Sequence, residues 1–218
     1  MSSFQALSIV KRKLNIKKVG HLGTLDPLAC GVLVLLCGSH TKKMNELSHA
    51  SKVYRSVFTF GYETTTLDLE GEVTAKSNVT PTREQISDVL KTLTGDIEIE
   101  VPKFSAVHIN GKRAYELARK GIDFAAPKKV VNIKRFELLT LDECKNDLES
   151  IGEKYEHREN SFYFEIECQT GTYIRSLAKL MAAKLGTLAI ASTIIRTRVG
   201  DFDIKDARTD LINHLPKE

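Results

Sequence analysis

The stretch Gly20-His21-Leu22-Gly23-Thr24-Leu25-Asp26-Pro27-Leu28-Ala29-Cys30-Gly31 constrains this chain more than any other. Its glycines and proline fix backbone turns that bulkier residues resist. The apolar run Val32 to Leu36 follows it and predicts a buried strand. A loop held rigid on both sides suits the presentation of one side chain, and Asp26 is the candidate. Taken alone, an Asp-Pro pair is a turn signal, because the carboxylate caps backbone N–H groups. Asp26 therefore needs support from elsewhere in the chain.

Hydrophobic residues at 42% and charged residues at 28% predict a folded, globular chain. No apolar run approaches a membrane span, and the N-terminus lacks a basic-then-apolar leader pattern. Cys30, Cys37, Cys144 and Cys168 form no C-x-x-C pair and read as reduced thiols of a cytoplasmic protein, not a zinc site. Net charge is +4, but its sign alternates in blocks. Residues 1–60 carry +7, 61–101 carry −6, 102–140 carry +6, 141–167 carry −6 and 168–218 carry +3. Basic blocks converging on one face would let a nearly balanced chain bind a polyanion.

Ser2 and Gln5 fit a capping box ahead of a helix over 4–14, with Lys11, Arg12 and Lys13 suited to its C-terminal dipole. A short helix is expected over 41–50, a strand over 52–60 and a polar loop over 61–71. Thr80 and Pro81 mark a helix start, with Ile86, Val89, Leu90 and Leu93 inward. Alternation predicts a strand through Ile97, Ile99 and Val101, and Asn110-Gly111 predicts a tight turn. A short basic helix over 114–120 and a strand over 130–139 come next, then an exposed acidic loop over 142–160. Strands at 162–168 and 187–199 flank a helix through Ile174, Leu177, Ala178, Met181 and Leu185, and a closing helix is expected over 210–215. Helices and strands mix without regular βαβ alternation, which predicts an α+β fold on a mostly antiparallel sheet.

Four ordered blocks carry a family resemblance. The stretch from Gly20 to Leu33 resembles the G-H-x-G-T-L-D-P-x-A-x-G-x-L signature of TruB-type tRNA pseudouridine synthases. Lys52-x-Tyr54 with Gly61-x-x-Thr64-x-Thr66-x-Asp68-x-x-Gly71 is similar to the second motif. The block Pro102-x-x-Ser105-Ala106 through Gly111, Ala114-Tyr115, Ala118-Arg119 and Gly121 resembles the RNA-clasping insertion, here about 107–129. Gly171-Thr172-Tyr173-Ile174-Arg175-Ser176-Leu177 with Arg196-x-x-x-Gly200-x-Phe202 resembles the third motif.

The resemblance implies a pseudouridine-synthase fold: a mixed, mostly antiparallel sheet flanked by helices, with a cleft across it. One catalytic domain over 1–218 is expected, with the family's opening strand and C-terminal PUA-type domain absent. The implied activity is isomerisation of a flipped-out uridine at position 55 in the T-loop of tRNA, by a cytoplasmic monomer. It needs no metal, organic cofactor or obligate protein partner. Asp26 matches the nucleophile, attacking sugar or uracil or working through a glycal. Arg175 matches the cation that keeps it ionised, and Tyr54 the ring that stacks on the target base. Tyr173 matches a pocket residue, and His21 the side chain that fills the gap left by the flipped nucleotide. Lys42 is expected on phosphate, with Ile194 and Arg196 lining the substrate pocket. Lys112, Arg113, Arg119, Lys120, Lys128 and Lys129 are the insertion's expected RNA contacts. The rival expectations are an RNA-folding protein with a damaged site and a guide-RNA-dependent synthase.

Overall fold

The computed structural model describes residues 1–140, 142, 143, 146 and 158–210. In chain order the elements are α1 (Ser3–Lys13), β1 (Val19–His21), β2 (Cys30–Gly31), β3 (Leu35–Cys37), α2 (Met44–Ser48), β4 (Lys52–Phe60), β5 (Tyr62–Thr64), β6 (Val73–Lys76) and α3 (Arg83–Leu90). They continue with β7 (Gly95–Glu100), β8 (His108–Ile109), β9 (Lys112–Arg113), α4 (Ala114–Arg119), β10 (Lys128–Leu139), β11 (Ser161–Cys168), α5 (Ile174–Lys184), β12 (Ala189–Val199) and β13 (Phe202–Asp203). No helix among the described residues is long and apolar enough to cross a membrane.

The expected α+β architecture is present. The main sheet runs β7-β10-β11-β4-β12-β13, antiparallel throughout, and β2 adds to β12 in parallel. One face is apolar. Phe58, Phe136 and Phe164 stack with ring centroids 4.7–6.1 Å apart, beneath Leu177, Ala178 and Met181 of α5 and Ile86 and Leu90 of α3. The other face carries a charged ladder between strands, in which Glu165 takes Arg55 at 3.0 Å and Arg135 at 2.5 Å. An antiparallel sheet tolerates one solvated face in this way.

The capping box at Ser2 and Gln5 forms, and β4 spans 52–60 as expected. Asn110 (φ 50°) and Gly111 (φ 80°) turn the β8–β9 hairpin with both central residues left-handed. Several expectations shift. The capping box of α3 is Thr82 with Gln85, two residues after the predicted start, because that Thr reaches the third helical N–H and its partner reaches back. The expected strand over 32–36 is interrupted: Val32 turns away from the strand, its N–H donating to the Arg196 carbonyl and its own carbonyl accepting from the Arg196 side chain. The 61–71 loop contains β5, which pairs with β6. The helix over 41–50 is a 3₁₀ turn, Gly38–Lys43, leading into α2. Most of the expected 142–160 loop and the closing 210–215 helix lie outside the described residues.

Candidate active site

The glycine-rich loop is clamped before it presents anything. Gly31 has φ 103°, and a Cβ there would lie 2.3 Å from the Arg196 carbonyl oxygen. That carbonyl accepts the Val32 N–H at 2.8 Å. The Arg196 side chain then reaches back under the loop. Its Nε donates to the Val32 carbonyl at 2.7 Å and its Nη2 to the Gly23 carbonyl at 3.2 Å. On the far side, Ser3 in the first turn of α1 accepts the Leu25 N–H at 2.9 Å. Asp26 follows immediately, tethered from two directions.

Arg175 meets it from α5. Its Nε donates to Asp26 Oδ2 at 2.8 Å and its Nη2 to Oδ1 at 3.0 Å, the fork-on-fork geometry that only a guanidinium gives. The remaining N–H groups are also used. Nη1 donates to the Thr66 carbonyl at 2.7 Å and Nη2 to the Phe104 carbonyl at 3.2 Å. Asp68 Oδ2 lies 3.7 Å from Nη1. The arginine side chain is 4% exposed and that of Asp68 3%, whereas Asp26 is 35% exposed. The buried cation therefore holds a carboxylate that is itself partly open to solvent. Asp68 is fixed within its own turn by the Thr66 hydroxyl and by the Glu70 N–H at 3.0 Å.

Tyr54 lies directly across from Arg196 in the β4–β12 register. Burial pushes the phenol up to about 12, with Arg196 pulling the other way, so Tyr54 stays protonated at neutral pH. His21 ends β1, its Nδ1 buried without a partner. Burial, then the Arg196 charge, holds its imidazole below the usual histidine range.

The expected residues thus divide. Asp26 and Arg175 are joined directly, and Tyr54 stands next to them. Tyr173 is the N-cap residue of α5, half-buried against the apolar core. Arg196 and Ile194 are buried, 1% and 3% exposed. Arg196 braces the loop from beneath, and Ile194 packs into the core. Lys42 is exposed on the 3₁₀ turn before α2.

The insertion cations Lys112, Arg113, Arg119, Lys120, Lys128 and Lys129 are all exposed. Some are engaged locally, Lys128 by Glu98 at 2.8 Å and Arg119 by the Tyr115 ring at 5.4 Å. Lys129 donates to the Gly171 carbonyl at 3.4 Å, which ties the insertion to the turn ahead of Arg175.

Sequence reasoning gave no role to Asp68, Ser3 or Lys52. Thr66, Asp68 and Lys52 fall inside the second motif, which was their only signal. Lys52 is 5% exposed and donates to Thr170 Oγ1 at 2.8 Å, with burial lowering its pKa. Among the described residues, no group of three or more His, Cys, Asp or Glu side chains is arranged to hold a metal.

Comparison with known proteins agrees with this geometry. The family model described as TruB family pseudouridylate synthase (N terminal domain) matches residues 11–174. The tRNA pseudouridine synthase B of Caulobacter vibrioides is 40% identical over 202 residues, which is 93% of this chain and 60% of the relative. That of Geobacillus thermodenitrificans is 41% identical over 211 residues, covering 96% and 67%. The chain therefore spans about two-thirds or less of the relatives it matches. Among solved structures, a crystal structure of a Cbf5-Nop10-Gar1 complex aligns with a TM-score of 0.64 at 26% identity, over 93% of this chain and 46% of that one. The family match spans both the Asp26 loop and the insertion, and the solved neighbour shares the sheet that carries them, so the chain belongs to the TruB family of pseudouridylate synthases.

Proposed function

We propose that this chain isomerises uridine to pseudouridine in the T-loop of tRNA, at position 55, as a cytoplasmic monomer. The observation that carries the reading is the paired fork between the buried Arg175 and the half-buried Asp26 carboxylate. A guanidinium on both oxygens holds the carboxylate of a nucleophile or base in one orientation, even after a flipped base excludes water. In the reaction the N1–C1′ bond breaks, the uracil turns, a C5–C1′ bond closes, and the proton lost from C5 is balanced by one taken up at N1. Asp26 acts either as nucleophile or in removal of the 2′ proton through a glycal. The protonated phenol of Tyr54 can face the base as a ring and donate, but not accept, a proton at neutral pH.

The stand-alone reading is supported over a guide-RNA-dependent one by the relatives named tRNA pseudouridine synthase B, which are more similar in sequence than the Cbf5 structure. The intact set of Asp26, Tyr54 and Arg175 speaks against a merely RNA-folding role. The test is to incubate unmodified tRNA transcript with the purified chain and map pseudouridine by site. The parent should modify the T-loop uridine, and Asp26→Asn should bind the transcript but yield no product. A parent that binds without forming product overturns the reading.

A further inference from the structure

Lys52 is a buried cation with few partners. It opens β4 in the middle of the main sheet, paired with Cys168 of β11 on one side and Val199 of β12 on the other. The residue is 5% exposed. Among the described residues its ammonium makes one hydrogen bond, to Thr170 Oγ1 at 2.8 Å, and no ion pair. An ammonium carries three N–H donors, so most of its bonding capacity is unused by the protein. A second cation stands beside it. A Cβ added at Gly23 would lie 3.4 Å from Lys52 Cε and 3.5 Å from Arg196 Nη1, so both side chains run beneath the glycine loop. Burial, then the Arg196 charge, lowers the Lys52 pKa.

Such a residue does not serve stability. A buried charge with no carboxylate beside it is costly, and an apolar side chain of similar volume in its place is often neutral or stabilising. A methionine would fill the space of the lysine stem under Gly23. It would not reach Thr170, and that reach joins two parts of the site. The stem of Lys52 lies under the loop that carries Asp26. Its head lies on the turn 169–173, which leads into α5 and Arg175. Backbone bonds fix the two ends of that turn: the Gln169 N–H donates to the Asn132 carbonyl at 3.0 Å, and the Tyr173 carbonyl accepts the Leu177 N–H at 3.2 Å. Between them Gly171 is left-handed, at φ 79°, and side chains hold the backbone. Thr172 Oγ1 donates to the Gln169 carbonyl, Lys129 to the Gly171 carbonyl, and Lys52 to Thr170. Lys52 is the buried member of this set, and it also meets the glycine loop.

We propose that Lys52 is a positioning residue for the reaction: by spanning Gly23 and Thr170 it fixes the gap between the loop that presents Asp26 and the turn that delivers Arg175. The inference rests on the reading of the chain as a uridine isomerase.

The experiment compares Lys52→Met, Thr170→Val, the two combined, and Thr170→Ser with the parent. It measures single-turnover pseudouridine formation on unmodified tRNA transcript at saturating enzyme, transcript affinity, and melting temperature. Solvent exchange of the Arg175 Nε–H is followed by ¹⁵N NMR, its resonance identified by its loss in Arg175→Lys. Lys52→Met should melt at or above the parent, Thr170→Val below it because the ammonium is stranded, and the double variant should recover the parental value. The rate should move differently. It should fall about 10- to 100-fold in all three, with affinity within about twofold and no further loss in the double variant. Thr170→Ser, which restores the hydroxyl, should recover most of what Thr170→Val loses. The Arg175 Nε–H should exchange roughly tenfold faster in the same three variants. A loss of rate in Lys52→Met that tracks a fall in melting temperature, or that lies wholly in affinity, overturns the proposal. A parent that forms pseudouridine while Lys52→Met keeps the parental rate and exchange removes the span and leaves the enzyme standing. A parent without product whose Arg175 Nε–H still exchanges faster in Lys52→Met does the opposite.

Discussion

Replacing Arg175 by lysine separates the fork from the charge. The guanidinium places two N–H donors on Asp26, at 2.8 and 3.0 Å, and two more on the carbonyls of Thr66 and Phe104. An ammonium on a shorter stem keeps the positive charge between Asp26 and Asp68 but can engage one carboxylate oxygen at a time. A hydrogen bond to a charged group is worth roughly 1.5–3 kcal/mol. At 1.36 kcal/mol per factor of ten, loss of one such bond that holds the carboxylate in its reactive orientation slows the reaction roughly 10- to 150-fold. A carbonyl left unpaired at Thr66 or Phe104 costs roughly 2 kcal/mol of stability, about 4–8 °C in melting temperature for a domain of this size.

The assay is single-turnover pseudouridine formation with enzyme in excess, beside RNA affinity and a thermal melt. Arg175→Lys should keep its affinity within about twofold and lose rate in the range just given. Arg175→Met should be worse in stability, because it strands the buried Asp68 carboxylate, a loss of roughly 3–5 kcal/mol. Adding Asp68→Asn to Arg175→Met should then recover melting temperature without recovering rate. The reasoning fails if Arg175→Lys turns over at the parental rate, or if its whole deficit lies in affinity.

Gly31→Ala should not yield folded protein at 37 °C: its Cβ would collide with the Arg196 carbonyl in a left-handed backbone, and circular dichroism of the expressed variant checks this. His21 makes acid stability pH-dependent. Its imidazole is held below 6.5 in the fold, so as pH falls past about 6.5 the unfolded chain takes up the proton first and stability declines, levelling off below the folded value. Melts between pH 7.5 and 5 should fall more steeply for the parent than for His21→Gln; parallel curves would remove the assignment.

Local signals were legible wherever a short-range interaction decides the backbone. Ser2 with Gln5 and Asn110 with Gly111 are such cases, and β4 was legible because its β-branched and aromatic run admits one conformation. Where a distant partner decides, sequence reasoning failed. Val32 to Leu36 reads as one strand, yet Arg196, from the far end of the chain, takes both the N–H and the C=O of Val32. Thr80-Pro81 reads as a helix start, but the reciprocal bonds of Thr82 and Gln85 win. The site shows the same division. Asp26 and Arg175 are 149 residues apart, and no spacing or periodicity joins them; motif resemblance did. Resemblance marked Arg196 as a site residue, but only the structure shows that it braces the glycine loop through two carbonyls.

That last point bears on how the reactive group is held. β4 and β12 pair so that Tyr54 faces Arg196, and the ladder slips immediately beyond, between Arg196 and Arg198. Up to the slip, the alternation of β12 carries Ile194 and Arg196 to the apolar face of the sheet, which is where the glycine loop crosses. A buried guanidinium with no carboxylate beside it is costly, and here two loop carbonyls accept from it. Both acceptors lie on the glycine loop, while the guanidinium comes from β12. Arg196 can be satisfied only if the loop and β12 are aligned, so its cost of burial falls on every misregistered arrangement. The position of Asp26 is then set by the sheet, through one arginine below it, while a second arginine orients its carboxylate through a two-point fork. A carboxylate fixed in this way is oriented before any RNA arrives, and such preorganisation removes the cost of orienting it during the reaction.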